Sequence, residues 1–304
     1  MSTSEAADTA TTAEPATAEQ AAAEPATAAG PVEITVRDGV LRILLNQPAR
    51  RNALDMAAVG VLVDALDAAS TDDTLRAVVL EGAGGHFCSG ANWVSSNTGA
   101  KDDGANGAEA PKPRTKPRPG SVQRRTPVQA HRLVQLLMEI QLPVVCVVRG
   151  WAAGLGFQLA LAADVTVAAD DARFWEPFLE RGFTPDSGAT WLLPRLVGIA
   201  RARDLLLLGR KLTGAEAAAW GLIHASAPAE ELDALAAGII EQLATGPTVA
   251  IGLAKRSINR NLENSFAQAL ENEALALELS SRTADFREGL AAFTTRRPPS
   301  YTGR

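Results

Sequence analysis

The chain has 304 residues, of which 46% are apolar and 21% charged, and its 29 Lys and Arg against 35 Asp and Glu give a formal net charge of -6. That composition is globular and long enough for one large core or two smaller ones. The acidic balance weighs against nucleic acid as the main partner, and no apolar run approaches the ~20 residues a membrane span needs. Cys88 and Cys146 lie inside apolar segments, which suits free thiols in a reducing, cytoplasmic setting better than a disulfide framework.

Residues 1 to about 30 are mostly Ala, Thr, Glu and Pro, with AEPATA written twice from Ala13 and Ala23. Such a segment buries too little to offset its ordering entropy and reads as a disordered tail. Val32 to Asn46 alternates and then runs apolar around Asp38-Gly39, the signature of two strands joined by a tight hairpin. After Arg51-Asn52-Ala53-Leu54, the spacing of Leu54, Val59, Leu62, Val63 and Leu66 predicts a helix with one apolar face.

Leu75 to Glu81 predicts a buried strand that runs into Gly82, Gly84 and Gly85, then His86-Phe87-Cys88-Ser89-Gly90-Ala91-Asn92. His86 has no Ser or Cys nucleophile with a paired acid beside it, and reads as a loop residue. Residues 95–126 shift abruptly to Pro, Gly, Lys and Arg without periodicity, a flexible basic insertion within the core. Pro127 to Ile140 predicts a helix. Pro143 to Arg149 is a β-branched apolar run and reads as a second buried strand; it breaks at Gly150, Gly154 and Gly156, and a buried helix follows from Phe157. A strand that turns at glycines into a helix leaves unbonded N–H groups backed by the positive end of the helix dipole, a place to hold negative charge.

Val165 to Ala168 and Ala172 to Phe174 predict further strands. Asp186 or Ser187 is positioned to cap a helix running through Trp191, Leu192, Leu193, Leu196 and Val197, and Thr213 to cap another. From Ala229 the pattern is helical, with amphipathic helices around Val249 to Asn259 and Ser265 to Leu279. Strands alternating with helices, followed by helices alone, give an α/β core over 31–228 and a helical region over 229–304.

Taken in order, PARRNAL (48–54), FCSGAN (87–92), the 142–164 stretch, GFTPDSGATWLLPRLVG (182–198), LTGAEAAAWGLI (212–223) and the DFREGLAAFTTRRPPSYTG ending resemble the crotonase (enoyl-CoA hydratase/isomerase) superfamily over about residues 32–304. The resemblance implies an α/β spiral of strand-strand-helix units and a C-terminal helical region that builds homotrimers, often paired into hexamers. It implies a coenzyme A thioester as substrate, with no separate cofactor and no metal, and a thioester oxygen held between the backbone N–H groups of Ala91 and Leu155. Leu155 stands where the family usually has Gly or Ala; its N–H is unaffected.

The two glutamates of the family's hydratases fall on Gln158 and Phe178, neither of which can take a proton, so typical hydratase chemistry is not expected. Glu176 and Glu180 each lie two positions from Phe178, and read either as replacements for the lost pair or as solvated side chains. The aspartate of the PDxG loop falls on Asp186, and the surrounding segment is most similar to 1,2-epoxyphenylacetyl-CoA isomerases and delta-3,delta-2-enoyl-CoA isomerases. One carboxylate suffices for a proton shift, and an apolar wall of Leu155, Phe178 and Trp191 would raise its pKa by desolvation. The resemblance also implies coenzyme A contacts around Ala53 and the Ser89 to Asn92 turn, with Gly90, Gly154, Gln158 and Phe178 along the substrate. Arg51 and Arg296 are the basic candidates for its phosphates, the second from a neighbouring subunit. Asn92 replaces an aspartate common there. The isomerase reading leads, with a hydratase and a non-catalytic acyl-CoA-binding protein as alternatives.

Overall fold

The structure, a computed structural model, describes residues 30–92, 118 and 120–304. The N-terminal tail and most of the basic insertion therefore lie outside the described residues. Strands β1 (Val32–Arg37) and β2 (Val40–Leu45) form the expected antiparallel hairpin. Asp38 and Gly39 both adopt positive φ, 52° and 74°, the mirror-image turn whose twist matches that of the flanking strands. Helix α1 (Met56–Ala69) starts at Asp55, whose carboxylate accepts from Ala58 N–H at 2.8 Å, and buries the apolar stripe Val59, Leu62 and Leu66.

The chain continues through β3 (Ala77–Gly82), the short helix α2 (Ser121–Arg125), α3 (Ala130–Glu139), β4 (Val144–Val148), β5 (Trp151–Ala153), α4 (Leu155–Ala162), β6 (Val165–Ala169) and β7 (Arg173–Trp175). Helix α2 lies inside the span expected to be an unstructured insertion. After it come α5 (Ala189–Leu207), β8 (Leu212–Thr213), α6 (Gly214–Ala219), β9 (Ala225–Ala227) and the helices α7 (Leu232–Ala244), α8 (Thr248–Asn261), α9 (Phe266–Ser280) and α10 (Ala284–Thr295). Thr213 caps α6 with a full capping box: its hydroxyl accepts from Glu216 N–H and the Glu216 carboxylate accepts from Thr213 N–H.

Six strands form one sheet in the order β1-β2-β3-β4-β6-β9, parallel from β2 onward, and β5, β7 and β8 form a second, smaller sheet. All five residues of β4 (VVCVV) are buried, the continuous apolar run of a strand covered on both faces. All eight residues of α4 are also buried, so it is a core helix, apolar all round except at Gln158. Among the described residues no single helix is long and apolar enough to cross a membrane.

Two expectations are corrected. Helix α4 begins at Leu155 rather than Phe157, with Gly154 alone between it and a three-residue strand that periodicity does not reveal. Neither Asp186 nor Ser187 caps α5: its N-cap is Gly188, with no side-chain cap bond.

The helical region is fastened to the core by Lys255 of α8. Its Nζ lies 2.7 Å from Asp164 Oδ2 and donates to the carbonyls of Leu137 (2.7 Å) and Leu142 (3.1 Å), while Asp164 also accepts from Val144 N–H. Burial opposes both charges, raising the Asp164 pKa and lowering that of Lys255 despite their mutual attraction. Removing one partner of such a pair strands the other. Lys255→Met is therefore expected to cost about 3–5 kcal/mol, read as a fall in the urea midpoint, and adding Asp164→Asn should restore part of that loss.

Candidate active site

Residues 87–92 run as an extended ribbon between two neighbours. On one side Cys88 N–H donates to Trp151 O (2.8 Å) and Ala153 N–H to Cys88 O (2.9 Å). On the other, Leu54 N–H donates to Gly90 O (2.9 Å) and Asn92 N–H to Leu54 O (2.8 Å). In this parallel pairing the residues flanking Ala91 carry the bonds to Leu54, so the Ala91 N–H itself points to the opposite side of the ribbon.

That side is occupied by the start of α4. Gly90 has φ 99°, and a Cβ there would lie 2.7 Å from Ala153 O and 3.5 Å from Leu155 N. At Gly156 a Cβ would come within 2.5 Å of Cys88 O. Both positions must lack a side chain for the ribbon and the helix to approach this closely. Leu155 opens the helix, where N–H groups have no carbonyl in a preceding turn to bond. Two backbone donors on adjoining segments are an arrangement that stabilises charge developing on an oxygen set between them.

The ribbon's entry is fixed by Asn52, a buried residue in the left-handed region (φ 54°). Its Oδ1 accepts from Gln47 N–H at 2.8 Å, and its Nδ2 donates to Ala83 O (3.0 Å) and His86 O (2.7 Å). The 47–52 turn is thereby bound to the glycine loop after β3. Ser89 N–H donates to Arg51 O (2.9 Å), and Ala53 N–H to Arg50 O (3.2 Å), while the Arg51 side chain is exposed. His86 is a structural residue, its Nδ1 accepting from Trp151 N–H.

Gln158 lies one turn beyond Leu155 and is fully buried. Its Nε2 donates to Glu176 Oε1 at 2.6 Å. Glu176 is equally buried, since it directly follows β7, whose Trp175 O accepts from Gly154 N–H. Of the two readings open for Glu176, the solvated one is excluded: burial holds its carboxyl well above the usual range, opposed by the Gln158 bond and reinforced by the nearby Asp186. Glu180 is exposed, as expected.

Asp186 is half-buried, and burial raises its pKa, while the Ser187 hydroxyl and the His131 ring pull the other way. It precedes two residues of positive φ, Ser187 (50°) and Gly188 (89°). Ser187 N–H donates to His131 Nε2 at 3.3 Å, which braces a conformation costly for a non-glycine residue. A cleft of about 790 Å³ opens beside this turn, lined in part by His131, Val134, Met138, Ser187, Trp191 and Leu192. Phe178 and Leu155 do not line it; Phe178 is buried against Phe183, with ring centroids 5.4 Å apart. The cleft is walled by α3, the start of α5 and α8, the last adding Arg256, Asn259 and Arg260, and Trp191 is the member of the expected wall among its lining residues. Arg296 is the exposed C-cap of α10, and among the described residues no contact joins it to Arg51.

The sequence profile of enoyl-CoA hydratases/isomerases matches residues 35–112 and 114–304. The chain belongs to the enoyl-CoA hydratase/isomerase family. It is 37% identical over 272 residues to the 1,2-epoxyphenylacetyl-CoA isomerase of Escherichia coli, a match spanning 88% of this chain and 97% of that one. It is 31% identical over 265 residues to the 2,3-dehydroadipyl-CoA hydratase of the same organism, spanning 87% and 96%. The crystal structure of an enoyl-CoA hydratase from Bacillus anthracis superposes with a TM-score of 0.79 at 28% identity, covering 90% of this chain and all of that one. Family membership brings acyl-CoA chemistry, and both isomerases and hydratases stand among the relatives.

Sequence patterning missed Asn52, His131 and the Gln158–Glu176 contact. The positive-φ preference of Asn was the one signal available for the first. Asn52→Ala leaves two carbonyls and one N–H without partners, at about 1 kcal/mol or more each. A loss of roughly 3 kcal/mol is expected, measured by chemical denaturation, with earlier amide exchange in residues 83–92.

Proposed function

We propose that the chain is an acyl-CoA isomerase that moves a double bond from the 3 to the 2 position. The single observation that carries this reading is the half-buried Asp186, set in a braced turn beside the cleft. In the proposed reaction the thioester oxygen lies between the N–H groups of Ala91 and Leu155. Asp186 takes the proton from C2, and the C2–H electron pair becomes the enolate, whose charge collects on that oxygen. The extended enolate then takes the same proton at C4, and C2=C3 remains. One donor of such a hole contributes about 2.7–4 kcal/mol to the transition state.

Gly90, Gly154 and Gln158 flank the reacting end in this reading, and Ala53, Ser89 and Asn92 the pantetheine. Arg51 and, from a neighbouring subunit, Arg296 attend the phosphates. Assembly into homotrimers, singly or paired, would use the helical region, where Phe266 and Phe293 are 80% and 85% exposed. The runner-up is hydration of a 2-enoyl thioester, favoured by the second buried carboxyl, Glu176, beside the first.

A base with a raised pKa acts only once ionised, so kcat/KM should rise with pH along an acidic limb whose midpoint lies above the ordinary carboxylate range. Asp186→Asn is expected to lower kcat for 3-enoyl-CoA isomerisation by about 10²–10⁴-fold, with KM little changed and the acidic limb lost. Full activity in that variant would contradict the assignment.

A further inference from the structure

The Gln158–Glu176 contact has an internal imbalance. Gln158 Nε2 donates to Glu176 Oε1 at 2.6 Å, yet the other two oxygens of the couple, Gln158 Oε1 and Glu176 Oε2, are buried without a hydrogen-bond partner. Two buried oxygens left without a partner would each cost about 1–3 kcal/mol. Both belong to the same couple, and one is an amide carbonyl that only accepts. The other belongs to a carboxyl, which becomes a donor when protonated. One proton on Glu176 Oε2 supplies the missing donor for both.

We propose that Glu176 serves as a neutral carboxylic acid joined to Gln158 by two opposed hydrogen bonds, and that this acid–amide pair sets the reaction type by leaving Asp186 as the one working base. The proposal rests on the reading of Asp186 given above. A primary amide and a carboxylic acid are complementary: N–H to C=O in one direction, O–H to C=O in the other. Locked in this way, the Gln158 amide is neither an acid nor a base near pH 7, and Glu176 is neutral and too weak a base to activate water. It also carries no charge toward Asp186. Among the described residues, Asp186 is the titratable group that acts on Glu176, and His131 acts in turn on Asp186. A negative Glu176 would oppose the ionisation of Asp186; a neutral one does not.

The test is infrared difference spectroscopy of the full-length protein carrying carboxyl-labelled glutamate, wild type against Glu176→Gln, at pH 7. The C=O stretch of a protonated carboxyl should be present in the wild type and missing in the variant. Gln158→Leu should move that band to higher frequency, because the acid loses its acceptor. Loss of carboxylate bands instead would overturn the proposal. A second readout is the acidic limb of kcat/KM, which should stay in place in Glu176→Gln; a fall of about one pH unit would mark the loss of a neighbouring negative charge and also overturn it. The infrared result does not depend on Asp186, so full activity in Asp186→Asn would sink the isomerase reading while leaving the state of Glu176 decided.

Discussion

The site depends on how closely the 87–92 ribbon approaches the first turn of α4. Gly90 and Gly156 have neighbours where a Cβ would stand, so their lack of a side chain sets the distance between two backbones. The core supports that approach from behind. Helix α4 is buried on every face, β5 is bound to both the ribbon and β7, and Asn52 holds the loop through which the ribbon enters. Even Cys88 contributes: Gly90 N–H lies 3.4 Å from its Sγ, and burial pushes the thiol up to about 12, so it is inert as a nucleophile. Donors held rigidly need no reorganisation when charge develops between them, which is the part the proposed reaction gives to Ala91 and Leu155.

The same burial that makes the donors effective makes carboxyls expensive. Asp186 and Glu176 both sit where desolvation disfavours the charged form, and the fold treats them differently. Asp186 is left half-buried, next to the strained Ser187 that lines the cleft and within the influence of His131. Glu176 is sealed against an amide. Two acidic residues ten positions apart thus meet different surroundings, one sealed against an amide and one half-buried, and surroundings of this kind set whether a carboxyl can work as a base.

Much of the frame was legible locally. Asp38-Gly39 dictates its own turn, Thr213 and Glu216 lie three residues apart and build their own capping box, and the Val-rich run of β4 carries its burial in its composition. The glycine-broken strands pointed to the two loops that meet at the site. What escaped depends on contacts distant in sequence. Strand β5 is three residues long and exists because Cys88 and Trp175 pair with it. Ser187 was read as a cap from its neighbours, yet its conformation is set by His131, 56 residues away. Glu176, flanked by Trp175 and a proline, gave no sign of burial, because its partner Gln158 lies on another element. The reading of Asp186 itself came from resemblance, and the geometry supports it through position and environment.

The most direct measurement offers the purified protein a 3-enoyl-CoA and, separately, a 2-enoyl-CoA in deuterated water, with products followed by mass spectrometry. The account predicts conversion of the 3-enoyl to the 2-enoyl isomer, with no addition of water to either substrate. Addition of water to the 2-enoyl thioester at a rate matching or exceeding isomerisation would contradict it, and would return Glu176 to the role of an active acid or base.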